Sequence, residues 1–221
     1  MTDLLSGTEL ASVELPDDVV GFGIAEISYI LGRQDSPQAA MLRQKLVLDE
    51  SFGTEAMRVA GVSSLVARGL LAVDGDTVQT RSAAALLEYA AARGGRWTTF
   101  GIARSEHPDL AIVVEAVGVT VLLQPRAYGT WYAGFSSDSS ATSSLLTGVI
   151  REKVSASPET ALYFVSETMG KAPRSVFVRR DHEASRWDAV LDADGPGTGS
   201  RKLLDDAGLD SLFAAFVPVV R

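Results

Sequence analysis

A glycine-rich segment at residues 192–207 reads DADGPGTGSRKLLDDA, and glycines that precede a helix can bind phosphate. A phosphate-binding P-loop has the pattern G-x-x-x-x-G-K-[ST], in which backbone N–H groups surround the phosphates and the Lys reaches their outer oxygens. Here Gly195 and Gly199 are four positions apart rather than five, and no Lys-Ser or Lys-Thr pair follows. We therefore predict a connector in which Thr198 or Ser200 caps the last helix.

The two histidines are the next candidates for acid–base or metal chemistry. His107 lies in the turn-like SEHPD, which favours a surface residue over a general base. His182 lies between Asp181 and Glu183, but neighbouring side chains on a strand point to opposite faces, so these three do not converge. We predict no catalytic residue, no metal site and no cofactor; an enzyme that uses His182 with nearby acids ranks third among our hypotheses.

Composition excludes or disfavours further classes of function. The chain has no cysteine, which excludes disulfides and thiolate chemistry. Its net charge is −8, and residues 1–95 alone carry 7 basic and 13 acidic side chains, which is unfavourable for nucleic-acid binding. The start, MTDLLSGTEL, has no basic region before an apolar run, and the apolar runs near 19–31 and 110–123 are shorter than the ~20 residues that span a bilayer. We expect a cytoplasmic protein without membrane contact.

Four aromatic residues lie close together in the stretch from 128 to 135. On an extended strand Tyr128, Thr130 and Tyr132 share one face, and Trp131 lies on the other. One face must pack in a core, while the other exposes amphipathic rings suited to a protein interface. Both alternatives stay open, and the candidate partner surface consists of Tyr128, Trp131, Tyr132 and Phe135.

The helical period dominates before residue 96. Residues 20–31 are apolar enough for either a helix or a buried strand. Elsewhere, capping residues and glycines mark where the elements begin and end. The predicted elements are a helix opened by Ser36-Pro37, a helix over 54–69 that Gly61 could break and Gly69 ends, a hairpin over 70–80 with an Asp-Gly turn, and a helix capped by Ser82 and stopped by Gly94-Gly95.

The helix and hairpin over residues 54–80 are similar to the second half of a winged helix, which raises a DNA-binding alternative. Such a helix must bring side chains to base edges and basic groups to phosphates. The acidic wing tip, with Asp74 and Asp76, would repel the DNA backbone. The candidate DNA face consists of Arg58, Ser63, Ser64 and Arg68.

From residue 96 the apolar period changes from about 3.6 to 2, which predicts strands. Short links between these segments predict antiparallel neighbours, because parallel strands need a long crossover. The polar tract 136–144 predicts a loop that leads into a helix. The predicted elements are strands at 96–106, 110–116, 119–126 and 129–136, a helix at 145–154, a hairpin of 175–181 and 186–192, and helical segments at 202–207 and 209–220.

Together these patterns predict an α+β protein. A helical, winged-helix-like part occupies residues 1–95, and an antiparallel sheet flanked by helices occupies 96–221. The length allows two domains divided at this point or one continuous domain.

One family shares these features. The chain carries Ala67-Arg68-Gly69-Leu70 at a helix end, then a short acidic hairpin, an Ala/Leu helix and a meander with a strand pair from Arg104 to Val113. Over about residues 40–150 this order resembles the EspG family of type VII secretion-associated proteins. The resemblance implies a cytosolic actinobacterial protein without catalysis that holds a helical secretion substrate, but the substrate-binding residues of that family cannot be placed on this chain.

The leading hypothesis is a non-enzymatic, chaperone-like protein that binds a protein partner or forms a homo-oligomer. The alternative is a winged-helix transcription regulator that binds DNA through residues 54–80. The salt dependence of DNA binding discriminates between these two hypotheses, because contacts between basic side chains and DNA phosphates weaken steeply as the salt concentration rises.

Overall fold

We describe the protein from a computed structural model, which describes residues 17, 19–102, 110–137, 141–181, 183, 185–192, 199–218 and 220. Within them the chain is α+β, with six α-helices, nine strands in antiparallel sheet and a separate two-stranded hairpin. This confirms the predicted fold class, whereas the winged-helix-like N-terminal part is not confirmed. Two compact units are present: unit 1 lies within Met1–Gly95 and Ile112–Ser139, and unit 2 lies within Arg96–Ala111 and Ser140–Arg221.

The helices and strands follow one another along the chain, with short 3-10 turns at Glu50–Gly53 and Ala127–Gly129. In order they are β1 Val20–Gly23, α1 Ile24–Gly32, α2 Pro37–Lys45, α3 Glu55–Ala67, β2 Leu71–Asp74, β3 Thr77–Thr80, α4 Ser82–Arg93, β4 Arg96–Ile102, β5 Ala111–Ala116, β6 Val119–Arg126, β7 Thr130–Ser136, α5 Ala141–Ala156, β8 Ala161–Thr168, β9 Arg174–Asp181, β10 Arg186–Leu191, β11 Ser200–Leu204 and α6 Asp206–Phe216.

Unit 1 contains an antiparallel sheet with the strand order β1-β7-β6-β5. The period-2 segments predicted at 110–116, 119–126 and 129–136 are these last three strands, and Gly118 turns between two of them with φ +83°. Residues 20–31, which the sequence left open as either a helix or a buried strand, contain both: β1 ends at Gly23 and α1 begins at Ile24. Consequently β1 lies at one end of the strand order and leads directly into a helix.

Helices α1 and α3 approach closely at a glycine. The break suggested at Gly61 is wrong, because α3 continues through it from Glu55 to Ala67. Gly61 is buried, and a Cβ there would collide with the carbonyl oxygen of Ala25 and lie 3.0 Å from Cβ of Tyr29. The glycine is therefore required for helix contact rather than for a bend. The predicted hairpin β2–β3 is present, with Gly75 at φ +57° in its turn.

The helix ends match the sequence signals in part. Ser36 accepts a hydrogen bond from the Ala39 N–H at 3.1 Å with Pro at the first helical position, as predicted for α2. The predicted cap at Ser82 is wrong. This residue is the first of α4 with a left-handed φ of 49°, and the N-cap is Arg81 without a side-chain bond.

Unit 2 contains the strand order β4-β8-β9-β10-β11, with an aromatic cluster between strands and helix. Phe164 on β8 stacks on Phe100 of β4 at 5.7 Å and meets Phe213 of α6 edge-on at 4.9 Å. The β9–β10 hairpin is as predicted, and α5 begins at Ala141, before the predicted start. The strand β8 was not predicted, although its buried Leu162, Phe164 and Ser166 alternate with half-buried neighbours.

The glycine-rich segment ends in a strand rather than a helix. Residues 200–204 form β11, which pairs antiparallel with β10, so the helical segment predicted at 202–207 is wrong over most of its length. Pairing with β10 satisfies this backbone before α6 begins at Asp206. The N-cap is Asp205, which accepts the Gly208 N–H at 2.7 Å, instead of the predicted Ser200; Thr198 lies outside the described residues.

Two glycines inside helices should respond oppositely to alanine. Gly61→Ala should lower the free energy of unfolding by about 2 kcal/mol, because the added methyl group overpacks the contact between α1 and α3. Gly148→Ala in α5 should raise it by about 1 kcal/mol, since a Cβ there meets nothing within 4 Å and alanine favours helix. Urea unfolding followed by circular dichroism measures both. Equal effects of the two substitutions would contradict the proposed role of Gly61.

Candidate functional site

The sheet of unit 1 has one face directed towards a helix. Phe22 on β1 lies opposite Trp131 on β7, and the two side chains are on the same face. The guanidinium of Arg68, at the end of α3, lies 5.7 Å from the centre of the Phe22 ring. Phe22 and Trp131 are both buried, which settles the open alternative for Trp131 in favour of the core.

The other face of this sheet presents an exposed aromatic ring. Tyr132 lies opposite Gly21 in the β1–β7 register and is 44% exposed. The guanidinium of Arg126 lies 5.1 Å from the Tyr132 ring centre, a cation–π distance, and its Nη2 donates to Oε1 of Gln124 at 2.8 Å. Among the described residues, Arg126 has no carboxylate partner. A cation and an amphipathic ring are thus held together on the surface.

Two glycines lie beside Tyr132 on this face. A Cβ on Gly21 would lie 3.4 Å from Cε1 of Tyr132, so the ring covers the space that a side chain would occupy. Gly134 is the next residue of β7 on the same face. We define the Tyr132 face as Gly21, Gln124, Arg126, Tyr132 and Gly134. It is bounded on the β5 side by Val113 and Glu115, which are buried.

The remaining two aromatic candidates have different positions. Tyr128 was predicted to share a strand face with Tyr132, but it lies in the 3-10 turn before β7, with a left-handed φ of 60°. The turn leaves its side chain 100% exposed. Phe135 is half-buried and lies on the same face as Trp131. The four candidates therefore divide into two exposed tyrosines and two rings on the helix-covered side.

Two residues of the candidate DNA face bind a buried carboxylate of the same chain. Glu26, in the first turn of α1, is 3% exposed. It accepts hydrogen bonds from Ser64 Oγ at 2.7 Å and from Arg68 Nη1 at 2.7 and 2.9 Å, and its Oε2 accepts the Gly23 N–H at 2.8 Å. A buried carboxylate needs such partners, so Ser64 and Arg68 have a structural role.

The other residues of that alternative are exposed but poorly placed for DNA. Arg58 pairs with Glu55 on the same helix through an Nε–Oε2 bond of 2.9 Å. Ser63 is exposed, as are Asp74 and Asp76 at the hairpin turn. With Arg68 held by Glu26, the helix offers no unpaired arginine to phosphates, and its neighbouring hairpin is acidic. This geometry does not favour DNA binding.

Several sequence candidates lie outside the described residues: His107, His182 and residues 193–198 of the glycine-rich segment. In the described part of the chain, no group of three His, Asp or Glu side chains could hold a metal ion. No helix in this same part combines the length and apolarity needed to cross a bilayer.

Unit 2 carries a second buried carboxylate with two arginines. Asp188 on β10 is 4% exposed and lies between Arg179 and Arg201, with N–O distances of 2.9 and 2.7 Å. Burial alone would raise the pKa of Asp188, but the hydrogen bonds and charges of Arg201 and Arg179 outweigh burial and lower it. This trio links three neighbouring strands, β9, β10 and β11, and its arginines are committed to Asp188.

No protein-family model matches this sequence, and no curated protein matches it. The resemblance to the EspG family therefore stays a prediction.

The sequence did not identify Arg126 as part of the candidate surface. A three-residue turn between β6 and β7 sets Gln124 opposite Tyr132 and Arg126 opposite Thr130, so the guanidinium can reach across to the ring. Arg126 and Tyr132 belong to adjacent strands, so alternation along one strand cannot place them together. Only the register of the β6–β7 hairpin could have predicted their contact.

Removal of the Glu26 charge should destabilise unit 1. Glu26→Gln should lower the free energy of unfolding by about 2 kcal/mol or more, since Arg68 loses the carboxylate that compensates it. Glu55→Gln, which removes the exposed pair with Arg58, should change it by less than about 0.5 kcal/mol. Urea unfolding of both variants at neutral pH makes the comparison. A Glu26→Gln protein as stable as the parent would show that the network is not required.

The Asp188 trio should make stability depend on acid. A carboxyl group with a lowered pKa in the folded state stabilises the fold above its unfolded pKa of about 4, and this contribution is lost as pH falls through the folded value. The stability difference between the parent and Asp188→Asn should therefore be constant from pH 7 to 5 and shrink below about pH 4. Asp210→Asn, which removes an exposed pair with Arg151, is the control. A difference that persists or grows in acid would refute this assignment.

Proposed function

We propose that this chain is a non-enzymatic, cytoplasmic protein whose function is to bind another protein through the Tyr132 face. The observation that carries the proposal is the exposed Tyr132 ring with the Arg126 guanidinium over it. Tyr128, at the adjoining turn, adds a second, fully exposed ring.

The residue types support a protein partner. Tyrosine and arginine are enriched at protein interfaces and at the few positions that dominate binding energy, because they combine large contact area with hydrogen bonding. Arg126 has no carboxylate partner among the described residues, so a carboxylate on the partner has a place to bind. Tyr128 is fully exposed and has a left-handed φ of 60°, which for a side chain of this size is costly. A contact with a partner protein would account for this exposed conformation of Tyr128.

The resemblance to the EspG family adds a class of partner. On that basis the partner is a helical secretion substrate, and this chain is a chaperone-like protein that holds it. The geometry gives no support to the DNA alternative, since Ser64 and Arg68 bind Glu26.

Substitution of the exposed ring tests this proposal. Tagged parent chain, Tyr132→Ala and the control Val66→Ala, which removes an exposed side chain from α3, are purified from the native host under gentle conditions. Tyr132→Ala should retain at least tenfold less of the co-purifying protein, because hot-spot truncations weaken binding by this order or more. Val66→Ala should match the parent. Circular dichroism checks that all three are folded.

Two outcomes would contradict the proposal. The first is a parent chain that elutes without any other protein, alone or as a homo-oligomer by light scattering. The second is a partner retained equally by the parent and by Tyr132→Ala.

A further inference from the structure

The segment that forms β1 carries neither a charged residue nor a proline, although the Gly23 N–H at its end is already bound by Glu26. β1 is the terminal strand of the unit 1 order, and β7 is its only strand neighbour among the described residues. The segment from Val19 to Gly23 reads VVGFG, without charge or proline. Natural proteins protect sheet edges with charged side chains, prolines or bulges, because unpaired N–H and C=O groups recruit further strands.

The terminal strand of unit 2 shows the contrast. β11 pairs with β10 and carries Arg201 and Lys202, both exposed. Charged residues of this kind oppose the addition of an unrelated strand. The chain thus has one terminal strand with a typical charged edge and another, β1, without such protection.

The neighbourhood of β1 is accessible. Val19 is 61% exposed, and Val20, Gly21 and Gly23 are half-buried, whereas Phe22 is buried on the helix side. Glycine in a strand frequently marks a place where another backbone approaches closely. The Tyr132 ring lies over Gly21, and so presents its edge towards the open side of β1.

We propose that β1 binds an extended segment of another protein, which adds to the sheet of unit 1 as an antiparallel strand. Main-chain hydrogen bonds supply the affinity in this mode, and alternate side chains supply the specificity. The Tyr132 ring covers Gly21, so a large side chain of the added strand on this face would pack against the edge of that ring. The segment is therefore uncharged along the four residues of β1 and carries a bulky residue on that face.

The charge beside β1 indicates which residue type the bound segment carries at one of its ends. Asp17 and Asp18 precede β1 in the sequence, and Asp17 is exposed without a cationic partner among the described residues. In an antiparallel pair the residue beside Asp17 lies after the uncharged run, so a Lys or Arg belongs at the C-terminal end of the added strand. A second copy of this chain fits less well, because both copies would carry a net charge of −8.

This inference goes beyond the proposed function, since it concerns the edge of the sheet and does not require a helical partner. The probe is a random ten-residue peptide library displayed on phage and selected against the intact chain. Selected peptides are synthesised and titrated against the parent, Val19→Lys and Val59→Lys by fluorescence anisotropy. Val59 is 53% exposed on α3, so Val59→Lys makes the same change of charge within unit 1 but away from the edge.

We expect the selected peptides to share an uncharged run with a bulky residue, followed by Lys or Arg. Their affinity should fall at least tenfold for Val19→Lys and remain unchanged for Val59→Lys. N-methylation of the peptide backbone should abolish binding at alternate positions only, because every second N–H of an added strand faces β1.

Three results would overturn the inference. One is the absence of any selected peptide. Another is selection of peptides that bind Val19→Lys as tightly as the parent. The third is a binding peptide whose affinity does not alternate with the position of N-methylation. If Tyr132→Ala loses the cellular partner while one of these three results is also obtained, the proposed function is supported and the strand-addition site is rejected.

Discussion

Unit 1 depends on the buried carboxylate of Glu26. It lies in the first turn of α1, directly after β1, and binds the Gly23 N–H, Ser64 and Arg68. Because a buried charge without partners is costly, these bonds fix where β1 ends and where α3 lies. Arg68 in turn covers Phe22, whose partner Trp131 lies next to Tyr132 along β7. The exposed tyrosine thus lies on the face of the sheet opposite to this network, in register with Gly21 and Gln124.

Much of the fold could be predicted where local signals agree with the structure. The strands β5, β6 and β7 are largely apolar segments separated by a glycine or a short turn, and Ser36-Pro37 marks the start of α2 both as an N-cap and as a proline at the first helical position. The predictions were wrong where residues distant in the sequence determine the local structure. Pairing with β10 makes residues 200–204 a strand, and contact with Ala25 makes Gly61 necessary inside a helix. Neither fact is visible in a short window of sequence.

The candidate site could be predicted only in part. Alternation along one strand correctly separated Tyr132 from Trp131, because both belong to β7. It failed for Tyr128, which a left-handed turn removes from the strand, and it could not find Arg126, which belongs to β6. The DNA alternative rested on side chains of one helix taken alone. Ser64 and Arg68 bind a carboxylate 38 and 42 residues earlier in the chain, and only the packing of α1 against α3 reveals this.

The central claim is that the Tyr132 face contacts another protein in the cell. The most direct test replaces Tyr132 by the photoreactive residue benzoylphenylalanine in the native host, with replacement of Met169, an exposed residue of unit 2, as the control. Irradiation should give one cross-linked protein of defined mass from position 132 and none from position 169. A position 132 that cross-links to nothing, or to the same set of proteins as position 169, would contradict the account.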